Sequence, residues 1–294
     1  MTSRFDQFLA VDWSGAKGTT QQGIALALAQ SAGPPELLKP SGKAWSRGEA
    51  MDTIRDLSAS PVLIGIDMGI SLPFTDAGAF FPGWDHSPDD AKSLWALVDA
   101  ICGDDPNLEC CGLLSHPEAR QYFRHAKGDE GSFFHLSGSA GREGRFRVAE
   151  HAQRSHGVRP VSNFNLVGAA QVGKSTLTGM RMLHRLRDCV SVWPIDPVPE
   201  SGAVLVEIYT SIAARAGGVG KGKTKIRDYD ALNKALECLG SPHVQGDGAI
   251  DDHSSDALIT AAWLRNAAKD PKYWQPAGLN EQIARTEGWT FGAV

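Results

Sequence analysis

Three short apolar runs in this chain are each followed at once by an acidic residue. The runs cover residues 8–11, 62–66 and 204–206, and the acids are Asp12, Asp67 and Glu207. Runs of this length and composition predict buried strands. A carboxylate at the end of a buried strand is costly unless it is paired, hydrogen-bonded or bound to a cation. We therefore expect the three acids to share a function, and common metal ions would provide one.

A fourth acidic element lies near the C-terminus. Residues 250–264 have the apolar spacing and alanine content of a helix that opens near Asp252 or His253. Asp252 and Asp256 are four residues apart, so they lie on one face of that helix. Asp252 is also a candidate N-cap, because aspartate is favoured there. Asp256 lies one turn too deep to cap, which makes it the better candidate for a functional carboxylate.

Composition places the chain among ordinary globular proteins. Its 294 residues, 42% of them hydrophobic, are enough for one large domain or a domain with an insertion. The net charge of -5 gives no general attraction to nucleic acid, so such contact would need a local basic patch. Five cysteines without Cys-x-x-Cys spacing indicate neither a disulfide framework nor a zinc site. With no apolar targeting or membrane-spanning stretch, we expect a cytoplasmic protein; the sequence leaves its oligomeric state open.

The order of predicted elements defines an α/β fold. A β-hairpin formed by residues 8–12 and 23–29 is followed by a short strand around Ala44 and Trp45, a helix at 47–57 and the strand that ends in Asp67. This order is β-β-β-α-β. After a long, less regular block, the strand ending in Glu207 and two helices, at 228–239 and from 252 onward, complete the pattern.

The irregular block is predicted to be an insertion in a single domain, 1–294. It carries helical stretches near 90–101, 117–126 and 177–188, separated by Pro-rich and Gly-rich loops. The expected boundaries are a core at 5–72 and 200–268, an insertion at about 73–199 and a C-terminal tail at about 269–294.

The order of these predicted elements, together with four short sequence fragments, resembles the ribonuclease-H-like superfamily. Within that superfamily it resembles a bacterial and archaeal family of predicted nucleases called domain of unknown function four-two-nine. The matching fragments span most of the chain and lie at residues 10–15, 65–73, 206–209 and 251–258. The last fragment also resembles the final helix of the Holliday-junction resolvases. There the two acids are usually three residues apart, whereas here they are four apart.

The resemblance implies a mixed five-stranded sheet with helices, and an acid cluster that holds Mg²⁺ or Mn²⁺ for phosphodiester hydrolysis. Oxygen ligands suit both ions, and two such ions about 4 Å apart support in-line displacement. We therefore predict a metal-dependent nuclease, or a related phosphodiester hydrolase, that acts on nucleic acid. Its predicted catalytic residues are Asp12, Asp67, Glu207, Asp252 and Asp256, and all except Glu207 are predicted metal ligands.

Two other classes of function compete with this interpretation. One is nucleotide binding, because residues 168–176 have the Walker A spacing Gly-x-x-x-x-Gly-Lys-Ser-Thr, although no long buried strand precedes them. The loop 12–18 is a second candidate phosphate loop, similar to that of the actin-like ATPases and sugar kinases. The other class is a non-catalytic binding module on the same fold.

Basic residues add candidate phosphate contacts. Lys174 would meet a substrate phosphate if the Gly-rich turn before it leads into a helix near the acids. Lys223, Lys225 and Arg227 alternate along the chain and would face one side of an extended loop, although a solvated loop explains them equally well. A mixed patch of Arg142, Arg145, Arg147 and Glu150 has no assigned role.

Overall fold

The computed structural model describes residues 4–135, 143–155, 158–168, 171–220 and 225–294. Within these ranges the strands are β1 Gln7–Asp12, β2 Ala25–Gln30, β3 Glu36–Leu37, β4 Val62–Asp67, β5 Arg124–Ala126, β6 Asp129–Glu130, β7 Ser191–Trp193 and β8 Val204–Glu207. The α-helices are α1 Arg47–Leu57, α2 Ala91–Ile101, α3 Cys111–Ser115, α4 Val148–Ser155, α5 Val172–Leu186, α6 Thr210–Ala216, α7 Tyr229–Cys238, α8 Asp252–Ala267, α9 Pro271–Trp274 and α10 Glu281–Thr286.

A mixed six-stranded sheet, in the order β3-β2-β1-β4-β8-β7, forms the centre of the molecule. β1 pairs antiparallel with β2, as the predicted hairpin requires, and parallel with β4 on its other side. β8 continues the parallel half between β4 and β7. The α/β class with a mixed sheet is therefore confirmed, with six strands rather than five. β5 and β6 form a separate two-stranded hairpin.

Helices cover both faces of the sheet. Because side chains alternate along a strand, Leu9 and Val11 of β1 join one apolar cluster, which includes residues of α1, α2 and α5. Phe8 and Ala10 join a second cluster, which includes residues of α6, α7 and α8. β1 is thus buried on both faces. Of the helices in the described ranges, none has the length and apolar character needed to traverse a bilayer.

The third strand is not where the sequence placed it. The prediction around Ala44 and Trp45 is wrong, and β3 is Glu36–Leu37, between the predicted hairpin and that position. Trp45 instead forms an isolated bridge with Gln21, whose backbone N–H donates to the Trp45 carbonyl at 2.7 Å. A two-residue edge strand has too few residues to show the alternation that identifies longer strands.

Helix predictions succeeded where the local signals were strong. α1 has the predicted bounds, and its N-cap Ser46 accepts a hydrogen bond from the Glu49 N–H at 3.0 Å. α5 begins at Val172, five residues before the predicted start at 177. The helix expected near 117–126 is a short 3-10 turn, Ala119–Tyr122, followed by β5.

The block expected to be inserted also contributes to the sheet. β7 lies within it and pairs with β8, and α5 packs between α1 and α2 over one face. The C-terminal segment packs against β8 as well, because Thr290 bridges Glu207 and the Phe291 N–H donates to the Glu207 carbonyl at 2.8 Å. Both segments therefore help to position the acidic end of the sheet.

Candidate functional site

Two of the predicted acids lie side by side at the carboxyl ends of β1 and β4. Asp12 and Asp67 are direct partners in the parallel register of these strands. Adjacent strands lie about 4.8 Å apart, and partners in register project to the same face. The Thr210 hydroxyl at the start of α6 donates to Asp67 Oδ2 at 3.2 Å. The sheet therefore brings together two carboxylates that are 55 positions apart in sequence, from 12 to 67.

α8 adds a third carboxylate, Asp256, to this pair. Its N-cap is Asp251, which accepts from the Ser254 N–H at 2.9 Å, so the alternative that Asp252 caps the helix is wrong. Asp256 follows in the second turn and faces the end of β1. Its charge raises the pKa of Asp67, which lies at the end of the neighbouring strand β4. The charges of Asp12, Asp67 and Asp256 act on one another, and we call these three residues the acid cluster.

The acid cluster is a place where negative charge is costly. Burial, then repulsion from Asp12 and Asp256, raises the pKa of Asp67 well above its usual range. Burial likewise raises the pKa of Asp12, although a bond to His253 opposes the shift. Burial first, and Asp12 second, raises the pKa of Asp256 to about 7. All three shifts indicate carboxylates that a nearby cation would stabilise.

His253 is a site residue that the sequence analysis did not identify. Its Nδ1 lies 2.8 Å from Asp12 Oδ2, and this bond is the main reason that the pKa of His253 is raised. The side chain remains 47% exposed, so the imidazole is open to solvent. Its position three residues before Asp256 in the same helix was the available signal, because residues three apart share a helix face.

Glu207 has a different environment from the acid cluster. Its carboxylate is buried and forms a bidentate ion pair with Arg147, with Nη1 at 2.8 Å from Oε2 and Nη2 at 2.6 Å from Oε1. The Ile70 N–H and the Thr290 hydroxyl also donate to it, at 2.8 and 2.5 Å. The oxygens of Glu207 are thus engaged by four protein donors.

The predicted ligand Asp252 is also separate from the acid cluster. It forms ion pairs with Lys225 and, at 3.8 Å, with Arg227 on the protein surface. The Lys225 bond lowers the pKa of Asp252, opposite to the shift of Asp256. Lys225 and Arg227 therefore lie beside the start of α8. Lys223, the third predicted phosphate contact of this loop, lies outside the described residues.

A cavity of about 480 Å³ opens at the acidic end of the sheet. Its lining includes Asp12 and Asp67, the loop 14–16 that follows β1, and the beginning of α5. Arg159 lies on the same lining. This volume falls within the roughly 300–1,000 Å³ of small-molecule sites. The cavity therefore presents groups of both signs to a ligand.

The Walker-like segment enters this region without the strand that a P-loop needs. Residues 161–168 form a loop with an isolated bridge at Asn165, and Ala169 and Ala170 lie outside the described residues. Lys174 lies in the first turn of α5, where its Nζ bonds to Gln171 Oε1 at 2.9 Å. The arrangement is a turn into a helix whose first residues line the cavity, as expected for a Gly-rich turn that leads into a helix near the acids.

Within the described ranges, no three His, Cys, Asp or Glu side chains are gathered as a ready-made metal site. Comparison of the chain with protein-family models, curated proteins and solved structures finds no match. The class that the structure itself defines is an α/β protein with a mixed six-stranded sheet and an acid cluster at the carboxyl ends of its central strands.

Proposed function

We propose that this protein is a divalent-metal-dependent nuclease, or a related phosphodiester hydrolase, on a ribonuclease-H-like sheet. The observation that carries the proposal is the register of Asp12 with Asp67 on adjacent parallel strands, with Asp256 facing them from α8. A mixed sheet that opens with a β-hairpin and has helices on both faces supports the choice of fold. The repulsion among the three carboxylates supports the choice of cation chemistry.

The residues present fit Mg²⁺ or Mn²⁺, and Asp12, Asp67 and Asp256 would hold the ion. They offer oxygen ligands, which these ions prefer. In the described part of the chain, none of the three forms an ion pair with Lys or Arg. When bound, the ion would activate water and stabilise negative charge on the phosphate. Because the described part of the chain holds no ready-made metal site, the proposal requires the three side chains to move closer together when the ion binds.

His253 is placed to handle the proton. Its bond to Asp12 raises the pKa of the imidazole, so the ring retains a proton more readily than a free histidine does. A positioned imidazolium can give its proton to a departing oxygen. We therefore assign His253 as the candidate general acid, next to the carboxylates that would hold the ion.

Glu207 and Asp252 have other roles in this proposal. Glu207 stabilises the site wall through Arg147, and Asp252 orders the two basic side chains Lys225 and Arg227 at the surface. Those basic residues lie near one end of the acid cluster, where a nucleic acid strand would pass. Substituting Asp252 should therefore affect strand binding more than the ion.

The proposal is tested by cleavage of single-stranded, double-stranded and branched nucleic acids with Mn²⁺. We expect Asp12→Asn to lower the rate at least about 100-fold, since removal of one key group in a site commonly has effects of that size. Asp230→Asn is the matched control, because Asp230 is an exposed aspartate in the first turn of α7. Equal cleavage by the wild type and Asp12→Asn would reject the assigned site. Calorimetry with Mn²⁺ on the same variants measures the ion separately.

A further inference from the structure

Arg159 is an exposed cation on the lining of the cavity. No carboxylate in the described ranges pairs with it, and its side chain is exposed. Arg147, on the same lining, is by contrast engaged by Glu150 and Glu207. A guanidinium presents a planar fork of donors that matches a phosphate. It lies on the same cavity lining as Asp12 and Asp67, two members of the acid cluster.

The loop 14–16 on the same lining is held from behind by a second arginine. Arg47 is 1% exposed, and its Nε donates to the Ser14 carbonyl at 2.8 Å while Nη2 donates to the Ala16 carbonyl. Its Nη1 donates to the carbonyl of Asn107 at 2.7 Å. All three partners are neutral carbonyls, so the buried positive charge of Arg47 is not cancelled by a bonded carboxylate.

These bonds fix the direction of the loop backbone. In a trans peptide the carbonyl and the following N–H point in opposite directions. Because the Ser14 and Ala16 carbonyls face Arg47, the N–H groups of Gly15 and Lys17 point away from it. Gly15 is also in close contact with α5, since a Cβ there would overlap the backbone of Lys174 and Ser175. The loop is therefore held in place by Arg47 and α5, with a buried cation behind it. The N–H groups of Gly15 and Lys17 are the donors that it offers, because the Ala16 N–H is bonded to the Ser14 hydroxyl at 3.3 Å.

We propose that Arg159 and the loop 14–16 form a phosphate subsite for a nucleic acid strand, beside the acid cluster. Arg159 binds the phosphodiester directly, and Arg47 is a positioning residue that holds the loop. This inference rests on the proposed function, because the subsite would hold the phosphate that neighbours the phosphate cleaved at the acid cluster. The subsite explains how a chain with net charge -5 would hold a polyanion at its acidic site.

The test is strand binding in the Asp12→Asn background, where cleavage is expected to be slow. Fluorescein-labelled single-stranded DNA and RNA are titrated with the protein in the presence of Mn²⁺, and binding is followed by fluorescence anisotropy. We expect Arg159→Ala to weaken binding about tenfold, the typical effect of losing a charge-assisted hydrogen bond. It should also reduce the slope of log affinity against log salt by about 0.7. Arg159→Lys should restore most of that slope, since the charge returns.

Arg120→Ala is the matched control, because Arg120 is an exposed arginine on the separate surface beside β5. If Arg159→Ala and Arg120→Ala bind the strand equally while wild-type protein cleaves it, the subsite is wrong and the nuclease proposal stands. If inorganic phosphate binds and depends on Arg159, but no strand binds or is cut, the subsite takes free phosphate and the nuclease proposal fails. If neither inorganic phosphate nor a nucleic acid strand binds, both the subsite and the nuclease proposal fail.

The positioning role is tested with Arg47→Met in the same background. Its control is Arg265→Met, because Arg265 is also buried and also donates to carbonyls, those of Gln30 and Gly33, at 3.2 and 2.7 Å. Melting curves establish that both variants are folded. Strand affinity should fall several-fold for Arg47→Met only, and Arg47→Lys, which keeps a cation behind the loop, should fall less. Equal affinities for the two methionine variants would overturn the role of Arg47.

Discussion

Replacing Asp256 with asparagine should stabilise the metal-free protein above neutral pH. Burial and the charge of Asp12 raise the pKa of Asp256 from 3.8 to about 7. A difference of this size, at about 1.36 kcal/mol per pKa unit, corresponds to about 4 kcal/mol. This is the upper limit of the gain in the free energy of unfolding, because asparagine carries no charge at any pH.

The sign follows from proton binding. Between about pH 4 and pH 7 the folded protein holds a proton on Asp256 that the unfolded chain has lost. The stability of the wild type therefore falls as pH rises through this window and levels off above it. The variant lacks this contribution. Both proteins should thus be about equally stable near pH 4, and Asp256→Asn should become the more stable one as pH increases.

Urea denaturation in EDTA, from pH 5 to pH 9, measures this difference. Mn²⁺ should reverse the order of stability, because the ion stabilises the wild type, whereas the Asp256→Asn variant lacks one of its ligands. Asp252→Asn is the control, since Asp252 is ion-paired at the surface and its pKa is lowered. If the free energies of unfolding of the wild type and Asp256→Asn differ by the same amount across this pH range, the electrostatic account of the acid cluster is refuted. It is also refuted if the Asp256→Asn variant is less stable than the wild type at pH 8.

Three further perturbations test other parts of the structure. Arg147→Met should lower the free energy of unfolding by about 3–5 kcal/mol, because it leaves Glu207 buried without its partner; a loss below about 1 kcal/mol in urea denaturation would contradict this ion pair. Gly15→Ala should cost about 1–3 kcal/mol in the same assay, since its Cβ overlaps the first turn of α5, and an unchanged midpoint would contradict the close packing. Asp99→Asn should lower the free energy of unfolding at neutral pH but not in acid, because Arg181 lowers the pKa of Asp99 and the stabilisation from this ion pair is lost as pH falls through that pKa. The pH dependence of the melting temperature measures this effect, and a loss of stability that persists in acid would contradict the reasoning.

The site was predictable where local pattern and strand geometry agree. The apolar runs before Asp12 and Asp67 identify buried strands, and acids at the carboxyl ends of adjacent parallel strands must be neighbours. β3 was missed because a two-residue strand carries no periodic signal. His253 was missed because its role depends on a contact with Asp12, 241 residues away.

Glu207 shows the limit of local pattern most clearly. It follows an apolar run just as Asp12 and Asp67 do, and β8 pairs with β4 next to them. Its carboxylate nevertheless bonds to Arg147 and Thr290, which lie 60 and 83 residues away. Periodicity identifies the strand but says nothing about which distant side chain will fill the space beside it.

The sequence by itself determined the hairpin of β1 and β2, the helices α1, α7 and α8, the buried character of β1 and β4, and the presence of acids at their ends, because these follow from apolar periodicity within a few residues. The tertiary structure alone decided which acids remain together. Strand register put Asp12 beside Asp67, helix packing brought Asp256 to them, and Arg147 engaged Glu207. These outcomes depend on contacts between residues far apart in the chain, where charge and burial are set by the packed fold.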